Sequence, residues 1–133
     1  CEWVDPDDAN DPVMQHLAQR TLLIWIEGSD AHTAELVRRF DAAPKPMSYQ
    51  PGFLLDAWAA YLRAHDCTEN DVDPDAFIRW TYARALAHRQ PRYRAMADRW
   101  GLTIPASDIG AGRTAADFDA LVARALQRVE MQA

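Results

Sequence analysis

The sequence predicts a helix-dominated α/β chain, and three observations carry that expectation. The run Leu22-Leu23-Ile24-Trp25-Ile26 has no polar alternation, as in a parallel strand covered on both faces. A second short apolar run, Leu102 to Pro105, lies nearly eighty residues later and follows a glycine. The segments between them read as helices, so the two strands pair in parallel through crossover connections.

Each element has its own signals. Asp11-Pro12 reads as N-cap and first helical position, opening a short helix to about Arg20. Thr21 to Glu27 is the first strand, and Gly28-Ser29-Asp30 turns into a helix with Leu36, Val37 and Phe40 on its apolar side. Ala43 to Gln50 holds Pro44 and Pro46 and reads as loop. Pro51 opens a helix to about His65, with Leu54, Trp58, Tyr61 and Leu62 on one face. Asp66 to Asp73 is polar loop, and Asp73-Pro74 caps a helix to about Arg89. Pro91 is expected to kink or break that helix, which resumes and runs to Trp100 before Gly101 ends it. Thr114 caps a last helix in which Phe118, Leu121, Val122, Ala125, Leu126 and Val129 recur at helical spacing.

Composition narrows the function classes. At 133 residues and 49% apolar content, the chain is one globular domain or part of one. A net charge of −6 with no basic stripe argues against nucleic acid as partner. Of the 14 basic residues only Lys45 is lysine, and the Arg-, Ala- and Asp-rich usage suggests a bacterial source. The longest apolar run is too short to cross a bilayer and no signal peptide is visible, so a cytoplasmic protein without membrane partners is expected. Two cysteines, Cys1 and Cys67, make neither a disulfide framework nor a zinc site. A two-stranded parallel sheet is rarely a whole fold. With Cys rather than Met at position 1, it predicts a single incomplete domain over residues 1–133.

Several apparent motifs lack the residues their chemistry needs. Asp71, Asp73 and Asp75 begin like a calcium loop, but Ala76 and Tyr82 stand where glycine and glutamate belong. His65 and Cys67 have no further ligands at metal-site spacing, and no metal site is expected. Gly110-Ala111-Gly112-Arg113 reads as a glycine turn without the lysine and hydroxyl of a phosphate cradle. The tryptophans Trp3, Trp25, Trp58, Trp80 and Trp100 read as packing residues rather than a binding stripe.

Four cations remain of interest. Arg89 sits near a helix end, at the rim of an apolar face set by Ile78, Tyr82 and Ala85 or Leu86. A guanidinium there can grip a carboxylate or phosphate with two prongs; on spacing alone the plainer role, a cation complementing the helix dipole, comes first. Lys45 lies between two prolines, where a stiffened cationic loop can close on phosphates, or is simply solvated. Arg38 and Arg39 end the helix that leaves the first strand, within reach of a nucleotide or merely as dipole partners.

Arg89, Pro91, Tyr93, Ala97 and Asp98 form an R-x-P-x-Y-x-x-x-A-D arrangement. With the upstream strand, the helix with a basic end and the Lys45-Pro46 loop, it resembles the shikimate kinase-like branch of the P-loop kinases over residues of about 20 to 132. The resemblance implies the helix-dominated, C-terminal part of a P-loop NTPase fold, with two parallel strands and flanking helices. It makes residues 43–50 a lid-like loop. It gives Arg89 the acceptor's carboxylate, Lys45 a catalytic place at the phosphates, and Arg38 or Arg39 a place beside the adenine. The implied reaction of the intact protein is γ-phosphoryl transfer from ATP, with Mg²⁺, to a hydroxyl of an anionic small molecule.

The pattern departs from the family in having Lys-Pro where Arg-Pro is usual, and in a longer Phe53–Cys67 connection. The chain has no G-x-x-x-x-G-K-[ST], so no cofactor and no turnover are expected of it alone. An open strand edge further predicts self-association through exposed apolar surface. The competing expectation is a self-standing helical module that binds another protein and catalyses nothing.

Overall fold

The computed structural model describes residues 4–131, apart from the side chain of Val129. Its elements run α1 (Pro12–Ala18), β1 (Leu23–Glu27), α2 (Asp30–Ala42), α3 (Pro51–His65), a 3₁₀ turn (Glu69–Asp71), α4 (Pro74–Trp100), β2 (Gly101–Pro105), α5 (Ala106–Ala111) and α6 (Ala115–Glu130). They divide into two compact units, one of residues 1–30 with 91–133, the other of residues 31–90.

The first unit is built on the strand pair. β1 and β2 are parallel, with Leu23 opposite Gly101, Ile24 opposite Leu102 and Ile26 opposite Ile104. Paired residues of a parallel ladder share a face, so Ile24, Ile26, Leu102 and Ile104 point one way. On that side Leu102, Ile104 and Ala125 form a buried cluster, flanked by Ile24, Ile109 and Val122 from β1, α5 and α6. On the other face Arg94 of α4 lies over the Trp25 ring at 5.5 Å and donates to Glu27 at 2.6 Å. Gly101 is required by the close approach of the strands: a Cβ there would stand 2.4 Å from the Leu23 carbonyl oxygen.

The N-terminal segment is tied down through polar groups. Asp11 caps α1 by accepting from the Val13 and Met14 amides at 2.9 Å each, while its second oxygen accepts from the Asp5 amide at 2.8 Å. Those donors, led by Asp5 and Met14, hold its carboxyl below the ordinary value against the opposing effect of desolvation. Arg92 donates to the Val4 carbonyl at 3.2 Å and Arg99 to that of Asp7 at 3.0 Å. Met14 is fully buried.

The second unit is helical and held together by rings. Phe40 of α2 stacks on Tyr82 of α4 at 3.9 Å between centroids, with the planes 6° apart. Tyr61 of α3 meets Phe77 and Trp80 edge-on at 5.3 and 5.2 Å, and Trp58 meets Phe77 at 5.0 Å. Such T-shaped pairs set positive ring edges against negative faces. Thr81 is fully buried and its hydroxyl donates to the Phe77 carbonyl, one turn back. α3 stops at Asp66, whose φ of 48° and ψ of 47° are left-handed, a conformation a short acidic side chain tolerates.

Four expectations need correction. Pro91 does not break α4, which continues from Pro74 to Trp100. The carbonyl it leaves without a donor belongs to Ala87, an exposed residue whose oxygen solvent can satisfy. Thr21 is not strand: its amide and hydroxyl both donate to the Leu17 carbonyl, at 2.8 Å each, and finish α1 instead. Gly110 and Ala111 are not turn but belong to α5, which Ile109 anchors on the buried cluster. The apolar run is not covered all round, since Leu22, just before β1, and Ile26 within it are 49% and 53% exposed. The edge of β1 away from β2 pairs with no strand among the described residues.

Candidate functional site

The residues singled out in the sequence fall into two separate settings within the helical unit. Arg38 and Arg39 lie in the last turns of α2 and share one carboxylate. Arg38 donates to Glu35 through Nε and Nη2 at 2.7 and 2.8 Å, and Arg39 through Nε at 2.7 Å. The Arg38 bonds and then those of Arg39 pull the Glu35 carboxyl from its ordinary 4.5 down to about 2. Both guanidinium groups are therefore engaged locally, on an exposed helix surface.

The loop of residues 43–50 and α4 make the other setting. Two prolines keep the loop out of helix, and Pro51 then starts α3, so the chain passes Ser48 and Tyr49 along α4. Arg89 Nη2 donates to the Ser48 carbonyl at 3.0 Å. The Tyr49 ring tilts against Phe53 at 5.7 Å, and Phe53 against His88 at 5.0 Å. The Tyr49 hydroxyl is buried beside the Thr81 hydroxyl. The Thr81 hydroxyl gives its own hydrogen to Phe77 and keeps lone pairs that can accept from the phenol. Burial pushes the Tyr49 phenol above its ordinary value; the Arg89 charge and then the Thr81 hydroxyl offset part of that rise.

Lys45 is exposed on the same loop and takes part in no hydrogen bond or ion pair among the described residues. Its ammonium group is thus available to an anion, while Arg89 keeps further N–H donors beyond the one given to Ser48. Arg89 and the lid-like loop meet; Arg38 and Arg39 are occupied by Glu35.

Two participants escaped sequence reasoning. Ser48 acts through its backbone carbonyl, which any residue would supply. Tyr49 had a visible signal, a lone aromatic in a loop between prolines, where a large apolar ring must find cover.

No set of three or more His, Cys, Asp or Glu side chains among the described residues is placed to hold a metal ion. No described helix is long and apolar enough to cross a membrane. Against known proteins, no family model, no curated protein and no solved structure matches this chain.

Proposed function

We propose that this chain carries the acceptor-binding part of an ATP-dependent small-molecule kinase similar to shikimate kinase. The observation that supports this most is the bond from Arg89 to the Ser48 carbonyl, which brings the R-x-P-x-Y helix and the Lys-Pro loop to one place. An arginine at the rim of a helix face, beside a loop with a free ammonium group, suits an acceptor that carries a carboxylate or phosphate. The parallel strand pair with its open β1 edge is compatible with the same reading, because a further parallel strand would extend it. In the isolated chain that edge favours self-association.

The residues of this chain do not fit ATP·Mg²⁺. The glycine-rich loop with its lysine is absent, and Arg38 and Arg39 already hold Glu35. The proposal therefore leaves nucleotide binding to the rest of the intact protein. Here Arg89 orients the anionic acceptor, and Lys45 adds positive charge where the loop covers it.

Steady-state kinetics of the intact protein test the reading. Removing a charge-assisted pair by Arg89→Ala costs about 1.5–3 kcal/mol, a fall of about one to two orders of magnitude in acceptor kcat/KM. ATP affinity is expected to stay put. Arg89→Lys restores only part of the loss, because an ammonium lacks the planar fork. Unchanged acceptor kinetics in a folded Arg89→Ala protein would return Arg89 to the helix-end role.

One observation favours a second reading. Leu55 on α3 is 72% exposed, next to a partly exposed Leu54, as on a helix that docks a partner protein. A monodisperse, cooperatively melting chain that gains no kinase activity with any upstream sequence would support that module instead.

A further inference from the structure

We propose that the outer margin of β2 takes an extended acidic segment of a partner protein as an added strand, held by Arg124 and Arg128. The inference draws on the strand unit alone and does not depend on the kinase reading.

The sheet has two strands, so among the described residues the side of β2 away from β1 pairs with no strand. A groove lies there. Thr103, Ile104 and Pro105 of β2 line it together with two turns of α6 that carry Arg124 and Arg128, and Asp108 of α5 also borders it. No residue of β1 lines the groove, which places it on the outer side of the ladder. Side chains alternate along a strand, so Thr103 points away from the face that Leu102 and Ile104 share with α6. Thr103 therefore meets the groove at the strand margin, where backbone N–H and C=O groups stand unpaired. Pro105 has no N–H and ends that row.

The arginines decide what can join. Arg124 and Arg128 are exposed and make no hydrogen bond or ion pair among the described residues. By contrast Arg79, Arg89, Arg92 and Arg99 each donate to a main-chain carbonyl, and Arg94 donates to Glu27. Four residues separate Arg124 from Arg128, about 6 Å along a helix. Alternate residues of a strand lie about 6.6 Å apart on one face. An extended chain with carboxylates at positions i and i+2 thus matches the pair, while main-chain bonds to β2 supply the rest of the hold. The same charges disfavour a second copy at this edge, because its own two arginines would face these. Asp108 offsets part of the positive charge, so a pair of carboxylates suits the groove better than a long acidic run.

A capped, fluorescein-labelled heptapeptide, Thr-Val-Asp-Val-Asp-Val-Thr, tests the site on the 133-residue chain by fluorescence anisotropy. Saturable binding with a Kd below about 1 mM is expected. The double variant Arg124→Gln with Arg128→Gln should bind about twofold to thirtyfold more weakly, as for the loss of two exposed ion pairs. Arg124→Lys with Arg128→Lys keeps both charges and should retain most of the affinity. A peptide with lysine in place of each aspartate should bind at least about tenfold more weakly to the natural chain. In the saturated complex, hydrogen exchange should show new amide protection in β2.

No saturable binding of the acidic peptide overturns the site. Equal affinity for the glutamine variant, or for the lysine peptide, overturns the role of charge. So does a loss in the lysine variant as large as that in the glutamine variant. A complex that gains protection in β1, or nowhere in the sheet, overturns strand addition at β2. None of these readouts needs nucleotide or turnover, so this inference and the kinase reading fail separately.

Discussion

The two units of this chain are cohesive for different reasons. Residues 1–30 with 91–133 are organised by a short parallel ladder and an aliphatic cluster of Leu102, Ile104 and Ala125. Residues 31–90 contain no strand and are organised by rings meeting at set angles, with Tyr61, Phe77 and Trp80 at the centre. Aliphatic packing is non-directional and tolerates some rearrangement. Ring edges and faces are directional, and so is the polar contact of the loop with Arg89. The residues proposed to act on the small-molecule acceptor lie in the ring-based unit, where Arg89 is aimed by its bond to Ser48 and Lys45 is exposed. The strand unit carries the parallel topology instead.

Substitutions can break that contrast. The largest effect is expected at Tyr61, 5% exposed and in contact with three other rings. Tyr61→Ala should lose about 3–5 kcal/mol in urea unfolding. Ile104, 2% exposed beneath α6, is the aliphatic counterpart, and Ile104→Ala should lose about 2–5 kcal/mol. Fluorescence separates the two, since Trp58 and Trp80 belong to one unit and Trp25 and Trp100 to the other. Transitions that move independently would establish two cooperative blocks; one transition moved by both variants would merge them.

A smaller loss sharpens the account of the ladder. Gly101→Ala places a methyl 2.4 Å from the Leu23 oxygen and 2.9 Å from its Cβ, so the strands must part. The expected cost is about 1–3 kcal/mol, with reduced amide protection across β1 and β2 in hydrogen exchange. Arg94→Ala removes the 2.6 Å bond to Glu27 and the cover over Trp25, but on an exposed surface. About 0.2–1 kcal/mol is expected, diminishing in high salt, with a change in Trp25 emission as the clearer signal.

The smallest effect is one of pH, at the C-terminal end of α2. Glu35 is depressed to about 2 by Arg38 and Arg39, from an ordinary 4.5. A lowered carboxyl contributes stability that is complete above about 4.5 and is lost as pH falls toward 2. Glu35→Gln should flatten that part of the acid unfolding curve followed by circular dichroism. A curve identical to that of the natural chain would show the pair to be energetically idle.

Much of the frame was legible because it depends on local rules. Asp11-Pro12 and Pro51 mark helix starts, the polar loop after His65 marks an end, and the apolar run at Ile24 marks the strand that pairs in parallel with β2. What escaped depends on context. Pro91 stays inside α4, where the residue whose carbonyl it deprives, Ala87, is exposed, which no sequence window reveals. Leu22 and Ile26 read as buried because hydropathy records what a residue prefers and not whether a neighbour covers it. At the candidate site the arginine was visible in its motif, but its partner was a main-chain oxygen of Ser48. The pairing of Arg38 and Arg39 with Glu35 had a plain signal in the i, i+3 and i, i+4 spacing.

The exposed ammonium of Lys45 has a practical side. Thirteen of the 14 basic residues are arginines, whose guanidinium groups do not acylate under mild conditions, so the loop carries the chain's only side-chain amine. An amine-reactive dye added at mildly alkaline pH would therefore report from one place, residue 45, besides the α-amine of the chain. The Lys45–Pro46 bond resists trypsin, so the labelled loop would stay within a single tryptic peptide running from Phe40 to Arg63.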